Sequence, residues 1–199
     1  MLKIPFNDPG ATIWSTVLEG IPKDATYLYA KSSIAFEDGS EAAVNNGVYV
    51  HHLGISDLDY KGGSQLSVCP GRDPNTPSRG RLPGGSLFTG GAEDKGDTFF
   101  TSGDGKFNSG FYIGRNDKIM AFAQVINYRD VKQKVFTQLE LEYIDGKVPD
   151  ALEVSPQSIS VTGCGRSISF MPKKNETSLN LESQEFPVIQ DGFIISTSK

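Results

Sequence analysis

Two histidines stand side by side, His51 and His52, and the chain has no others. Imidazole exchanges a proton near neutral pH and is the commonest metal ligand, so the pair could do acid–base chemistry or hold a metal. The pair lies in Val48-Tyr49-Val50-His51-His52-Leu53-Gly54-Ile55, which is apolar and β-branched on both sides and predicts a strand over residues 47–55. Neighbouring side chains of a regular strand point to opposite faces. Both rings can therefore serve one site only where the strand bends or ends, and Gly54 is the expected place. The plainer reading is one buried histidine bonded to a carbonyl beside one exposed histidine. Two imidazoles alone do not complete a metal site.

The elements that must position this pair read as strands. Residues 26–31, 107–113, 119–128, 136–144, 158–162 and 193–195 carry period-two or β-rich patterns. The runs 107–113 and 119–128 flank a Gly114-Arg115-Asn116-Asp117 turn, and Asp145-Gly146 is a hairpin signal. Residues 14–20 are the one stretch with weak helical character. Residues 57–105 are rich in Gly, Pro and polar residues, and read as a long loop. Many short strands between Gly, Pro and Asp turns predict an all-β fold, an antiparallel β-sandwich.

Composition narrows the classes. The chain has 199 residues, enough for one large domain or two small ones. Its net charge is −5 and it has no basic stripe, which argues against a nucleic-acid partner. No apolar run approaches a membrane span, and residues 1–6 lack the apolar core of a signal peptide. Cys69 and Cys164 belong to no Cys-x-x-Cys pair, which argues against zinc. A disulfide, two free thiols and one reactive thiol are all open to them. The disulfide is the expectation, stabilising by about 4–5 kcal/mol in the chain-entropy model. Asn175-Glu176-Thr177 is a glycosylation acceptor in a secreted protein. Together with the cysteines it points to the secretory pathway or the extracellular space.

Weaker motifs carry less. Gly84-Gly85 and Gly90-Gly91 lack the Lys-Ser/Thr of a phosphate loop, and no Gly-x-Ser-x-Gly elbow is present. Glu93, Asp94, Asp97 and Asp104 lack an EF-hand spacing and read as solvated charge.

Several segments, taken in order, resemble a known family. They are Val48-Tyr49-Val50-His51-His52, Phe100-Thr101-Ser102-Gly103-Asp104-Gly105-Lys106-Phe107-Asn108-Ser109-Gly110-Phe111, Asn127-Tyr128, Glu140-Leu141-Glu142-Tyr143 and Ser160-Val161-Thr162-Gly163-Cys164. Over roughly residues 20–195 the chain resembles fungal and plant stress-upregulated Nod19-type proteins. More remotely it is similar to the first domain of the copper type II, ascorbate-dependent monooxygenases of the peptidylglycine-monooxygenase type. The resemblance implies a jelly-roll-like sandwich over residues 21–165, after an N-terminal arm at 1–20. It implies a copper held by two adjacent histidines and a third from a later strand. Here that strand reads Ala123-Gln124-Val125-Ile126-Asn127-Tyr128, with Asn127 at the third position. A neutral amide is a poor copper ligand beside two imidazoles. Met120 and Met171 do not stand where the family places a thioether. The resemblance also implies a second sandwich domain, so residues 166–199 read as a linker and the first strand of that domain. That strand would dock on a second domain or a second chain.

Three functions follow as expectations. The first is a metal-independent catalyst or binder of a small apolar or aromatic molecule. It would act as a natural-product enzyme of the lyase or cyclase type that dehydrates a precursor and guides a hetero-Diels–Alder cycloaddition. Such a step needs shape, desolvation and a few hydrogen bonds more than a metal. His51, His52 and Asn127 are the catalytic candidates, and Tyr49, Gln124 and Tyr128 the substrate-binding ones. The second is a copper module completed by a partner. The third is a non-catalytic, stress-related extracellular module.

Overall fold

The computed structural model describes residues 11–60, 86–91, 96–156, 178–182, 185 and 191–197. Its strands are β1 (Ala11–Val17), β2 (Ala25–Ala35), β3 (Val48–Asp57), β4 (Ser86–Gly91), β5 (Asp97–Phe99), β6 (Ser109–Ile113), β7 (Ile119–Asn127), β8 (Phe136–Asp145) and β9 (Leu152–Glu153). A single 3-10 turn, Val44–Asn46, is the helical element among the described residues. The fold is an all-β sandwich. One sheet runs β1-β7-β3-β4; the other runs β5-β2-β6-β9, with β8 on the far edge of β2. All strand pairs are antiparallel except β6 with β9.

Period two in the sequence becomes two faces. On β7 Ile119, Ala121, Ala123 and Val125 turn inward and are buried, while Met120, Phe122 and Gln124 face outward and are half-buried. These inward residues share one core with a cluster of aromatic rings from both sheets. Phe88 of β4 stacks on Phe100 at 5.3 Å, and Phe111 of β6 meets both, at 5.2 Å and 5.4 Å. Tyr27 of β2 sets its edge on Phe88 at 5.0 Å and donates its hydroxyl to the Pro22 carbonyl at 2.6 Å. A buried tyrosine hydroxyl needs such a partner.

Five expectations change. Residues 11–17 are a strand and not part of a helix: Thr12, Ile13, Thr16 and Val17 are β-branched, and the segment pairs with β7 along its whole length. The stretch 57–105 is interrupted by β4 and β5, so it is not one continuous loop. The turn at 114–117 joins strands of different sheets, because β6 pairs with β2 while β7 pairs with β1 and β3. Likewise β8 does not fold back at Asp145-Gly146, since the chain goes on to lay β9 beside β6. Residues 193–195 form no strand; Phe193 and Ile194 are exposed, and Phe193 stacks on Phe107 at 4.5 Å. An extended segment becomes a strand only with a ladder partner. Among the described residues no helix is long and apolar enough to cross a membrane. The stretch 158–162, Cys69, Cys164, Asn175, Glu93, Asp94 and Met171 lie outside the described residues.

Candidate functional site

The histidine pair sits on a β-bulge. Between β3 and β7 the register runs Val50 to Val125 and then His52 to Gln124, so His51 is the extra residue. Burial records the same break. Val48 and Val50 are buried before it and Leu53 and Ile55 after it, so the inward phase moves from even to odd positions. Both imidazoles are thereby left on the face away from the core. Their ring centroids are 4.2 Å apart in an edge-to-face arrangement. The irregularity is thus at the pair itself and not at Gly54, where it was expected.

Gln124 stands across from the pair. Its Oε1 lies 3.1 Å from His51 Nδ1. An amide oxygen only accepts, so the neutral ring carries its proton on Nδ1 and keeps Nε2 as an acceptor. His52 is exposed, yet the protein around it and the adjacent His51 both disfavour its cation and lower its pKa below 6.5. Its neutral form, which has a lone pair to offer, is thereby favoured.

Aromatic rings extend the site in both directions. The half-buried Tyr49 lies 5.9 Å from His51, edge to face, and Tyr128 stacks on Tyr49 at 6.3 Å. On the other side the Phe122 ring lies over Gly54: a Cβ there would come within 2.1 Å of the ring. Gly54 pairs with Gly90 of β4, where a Cβ would meet the β3 backbone at Leu53 and Gly54 and not the ring. Ile13 of β1 pairs with Gln124 and completes the row Ile13–Gln124–His52 across three strands.

The expected residues divide. Tyr49, His51, His52, Gln124 and Tyr128 come together on this face. Asn127 does not join them. It pairs with Val48, on the core-side phase of the strand, and its amide is engaged in the following turn. Its Nδ2 donates to the Val131 carbonyl at 2.8 Å, and its Oδ1 accepts from Arg129 N at 3.0 Å and Gln133 Nε2 at 2.8 Å. The reason is parity, since residues three apart on a strand face opposite ways. Gln124 takes the place foreseen for Asn127.

Phe122 and Ile13 also lie on this face without having been expected there, and Gly54 was expected only as the place of a bend. Parity with Gln124 along β7 is the signal that would have found Phe122. Of the loop acids, Asp97 accepts from the Tyr29 hydroxyl and Asp104 pairs with Lys106, as solvated charges do. Among the described residues no group of three or more His, Cys, Asp or Glu could hold a metal ion.

Comparison with protein-family models, with curated proteins and with solved structures finds no match for this chain.

Proposed function

We propose that the outer face of the β1-β7-β3-β4 sheet is a metal-independent site for a small apolar or aromatic molecule, worked by the His51–His52 pair. The observation that carries this reading is the bulge, which gives both imidazoles one face and sets His51 on Gln124. Neutral His52 is the general base. His51, anchored through Nδ1–H on Gln124, presents Nε2 to the substrate and, when protonated, delivers that proton to a departing hydroxyl. The sum of the two transfers is loss of water from the substrate, with no oxidant or metal involved. Tyr49, Tyr128 and Phe122 supply the apolar walls that would hold the resulting diene for a cycloaddition. A peptidylglycine-monooxygenase-like ancestry and a natural-product dehydratase and cycloaddition role belong to this proposal. Its support is the sandwich together with the histidine strand.

The test is a panel of small aromatic alcohols incubated with the protein, followed by mass spectrometry for water loss and by NMR of the histidine ring protons. Water loss abolished in His51→Ala and His52→Ala supports the reading. Unmoved ring resonances across the panel, with no turnover, overturn it.

One observation favours a second reading. Two imidazoles on one face, 4.2 Å apart, are better placed for a shared copper than two on opposite faces. A third ligand would have to come from a partner domain or chain. Stoichiometric copper held below micromolar, with activity lost on chelation, would select this reading over the first.

A further inference from the structure

Asp57 ends β3 on its core side and is 0% exposed. One carboxyl oxygen, Oδ1, accepts from Asp59 N at 2.9 Å; the other, Oδ2, has no hydrogen-bond donor. A buried carboxylate oxygen without a donor is costly. The groups facing it come from three places. Asp59 and Tyr60 follow it in the chain, Asp117 comes from the β6–β7 turn, and Lys23 comes from the β1–β2 connection.

None of these supplies the missing donor. The Lys23 ammonium donates to the Asp117 carbonyl at 2.5 Å. The Tyr60 hydroxyl donates to the Val154 carbonyl at 2.7 Å. Asp59 Oδ2 accepts from Lys118 N at 2.9 Å, and Asp117 Oδ2 accepts from Gly114 N at 2.6 Å. Asp57 pairs in register with Ile119, which brings Asp117 close to it, and the nearby Asp117 charge disfavours the Asp57 carboxylate. A buried carboxyl with an orphan oxygen beside a second acid is satisfied when it carries a proton of its own to donate.

We propose that Asp57 is a proton-uptake site, whose buried carboxyl takes one proton in mildly acidic solution, donates it towards Asp117 and so clamps the β6–β7 turn to the end of β3. When the proton is present, Asp57 donates to Asp117 and the orphan oxygen is satisfied. When it leaves, two negative charges face each other, with Lys23 as partial compensation. Burial raises the Asp57 pKa from 3.8 to about 6, and the neighbouring Asp117 adds to the rise. The folded protein therefore binds this proton more tightly than the unfolded chain. The stabilisation is fully present below 3.8 and is lost as pH rises through about 6.

The experiment is urea unfolding of the full chain between about pH 4.5 and about pH 8, for the wild type, Asp57→Asn and Asp117→Asn. Asp57→Asn keeps the shape and can donate permanently. The wild-type unfolding constant should rise relative to Asp57→Asn across this window, by on the order of thirtyfold. Parallel profiles for the two proteins would overturn the proposal. Should Asp57→Asn fail to fold, Asp117→Asn decides. Moving the wild-type transition to lower pH supports the proton on Asp57 facing Asp117, and leaving it in place refutes it.

Discussion

His51 Nδ1 faces Gln124 Oε1 at 3.1 Å, at the point where the β3–β7 ladder shifts register. The bulge and the hydrogen bond act together. The bulge turns the ring onto the outer face, and the amide then fixes the ring's orientation and tautomer without adding charge. In the proposed function Gln124 is a positioning residue, and His51 and His52 are the groups that reach a bound molecule.

Removing one residue of the bulge should leave a foldable protein. Deleting His51 restores strict alternation, with Val48, Val50, Leu53 and Ile55 all inward, and the cost should be about 1–2 kcal/mol. Deleting Tyr49 instead drives Val48 onto the outer face and should abolish cooperative unfolding. Circular dichroism melts of the two deletions check this. Equal damage from both would show that the phase of the strand does not control its folding.

His51→Ala and His52→Ala should lower turnover by about 100-fold or more while changing stability by less than about 1 kcal/mol. Gln124→Leu should act through His51, lowering kcat with little change in KM. In ¹⁵N spectra the single His51 tautomer should become a mixture. A tautomer unchanged in Gln124→Leu would remove Gln124 from the site.

The His52 pKa is lowered first by burial and second by His51. His51→Gln should therefore raise it part of the way back towards 6.5, as followed by NMR titration of the ring. The sign for stability is opposite to that of Asp57. The His52 contribution is present above 6.5 and is lost as pH falls through its lower folded value. Adding copper or a chelator should leave both the titration and the activity unchanged.

Gly54→Ala places a methyl 2.1 Å from the Phe122 ring, and the ring must leave. The expected cost is about 1–3 kcal/mol. Adding Phe122→Ala should recover part of it, a non-additivity that a double-mutant cycle measures. Additive losses would mean that the two groups do not meet.

Phe111 is fully buried among Phe88, Phe100 and Tyr60, with the Tyr60 ring stacked on it at 4.4 Å. Phe111→Ala should cost about 3–5 kcal/mol in chemical unfolding. A cost below about 1 kcal/mol would place the centre of the core elsewhere.

The sequence by itself determined the local states that period two encodes. The strands around residues 26–31, 47–55, 119–128 and 136–144 are all there, because alternating apolar and polar side chains fit a half-buried sheet whatever strand lies beside it. Even the bulge is written locally, in the slip from Val48 and Val50 to Leu53 and Ile55. The tertiary structure alone decided which strands are neighbours. Pairing depends on burial between segments far apart in the chain, and no local pattern carries it. That is why two turn signals close no hairpin, and why residues 11–17 became a strand once β7 lay beside them. It is also why Gln124, not Asn127, faces the histidines, and why Asp57, an ordinary acid in the sequence, lies buried against Asp117.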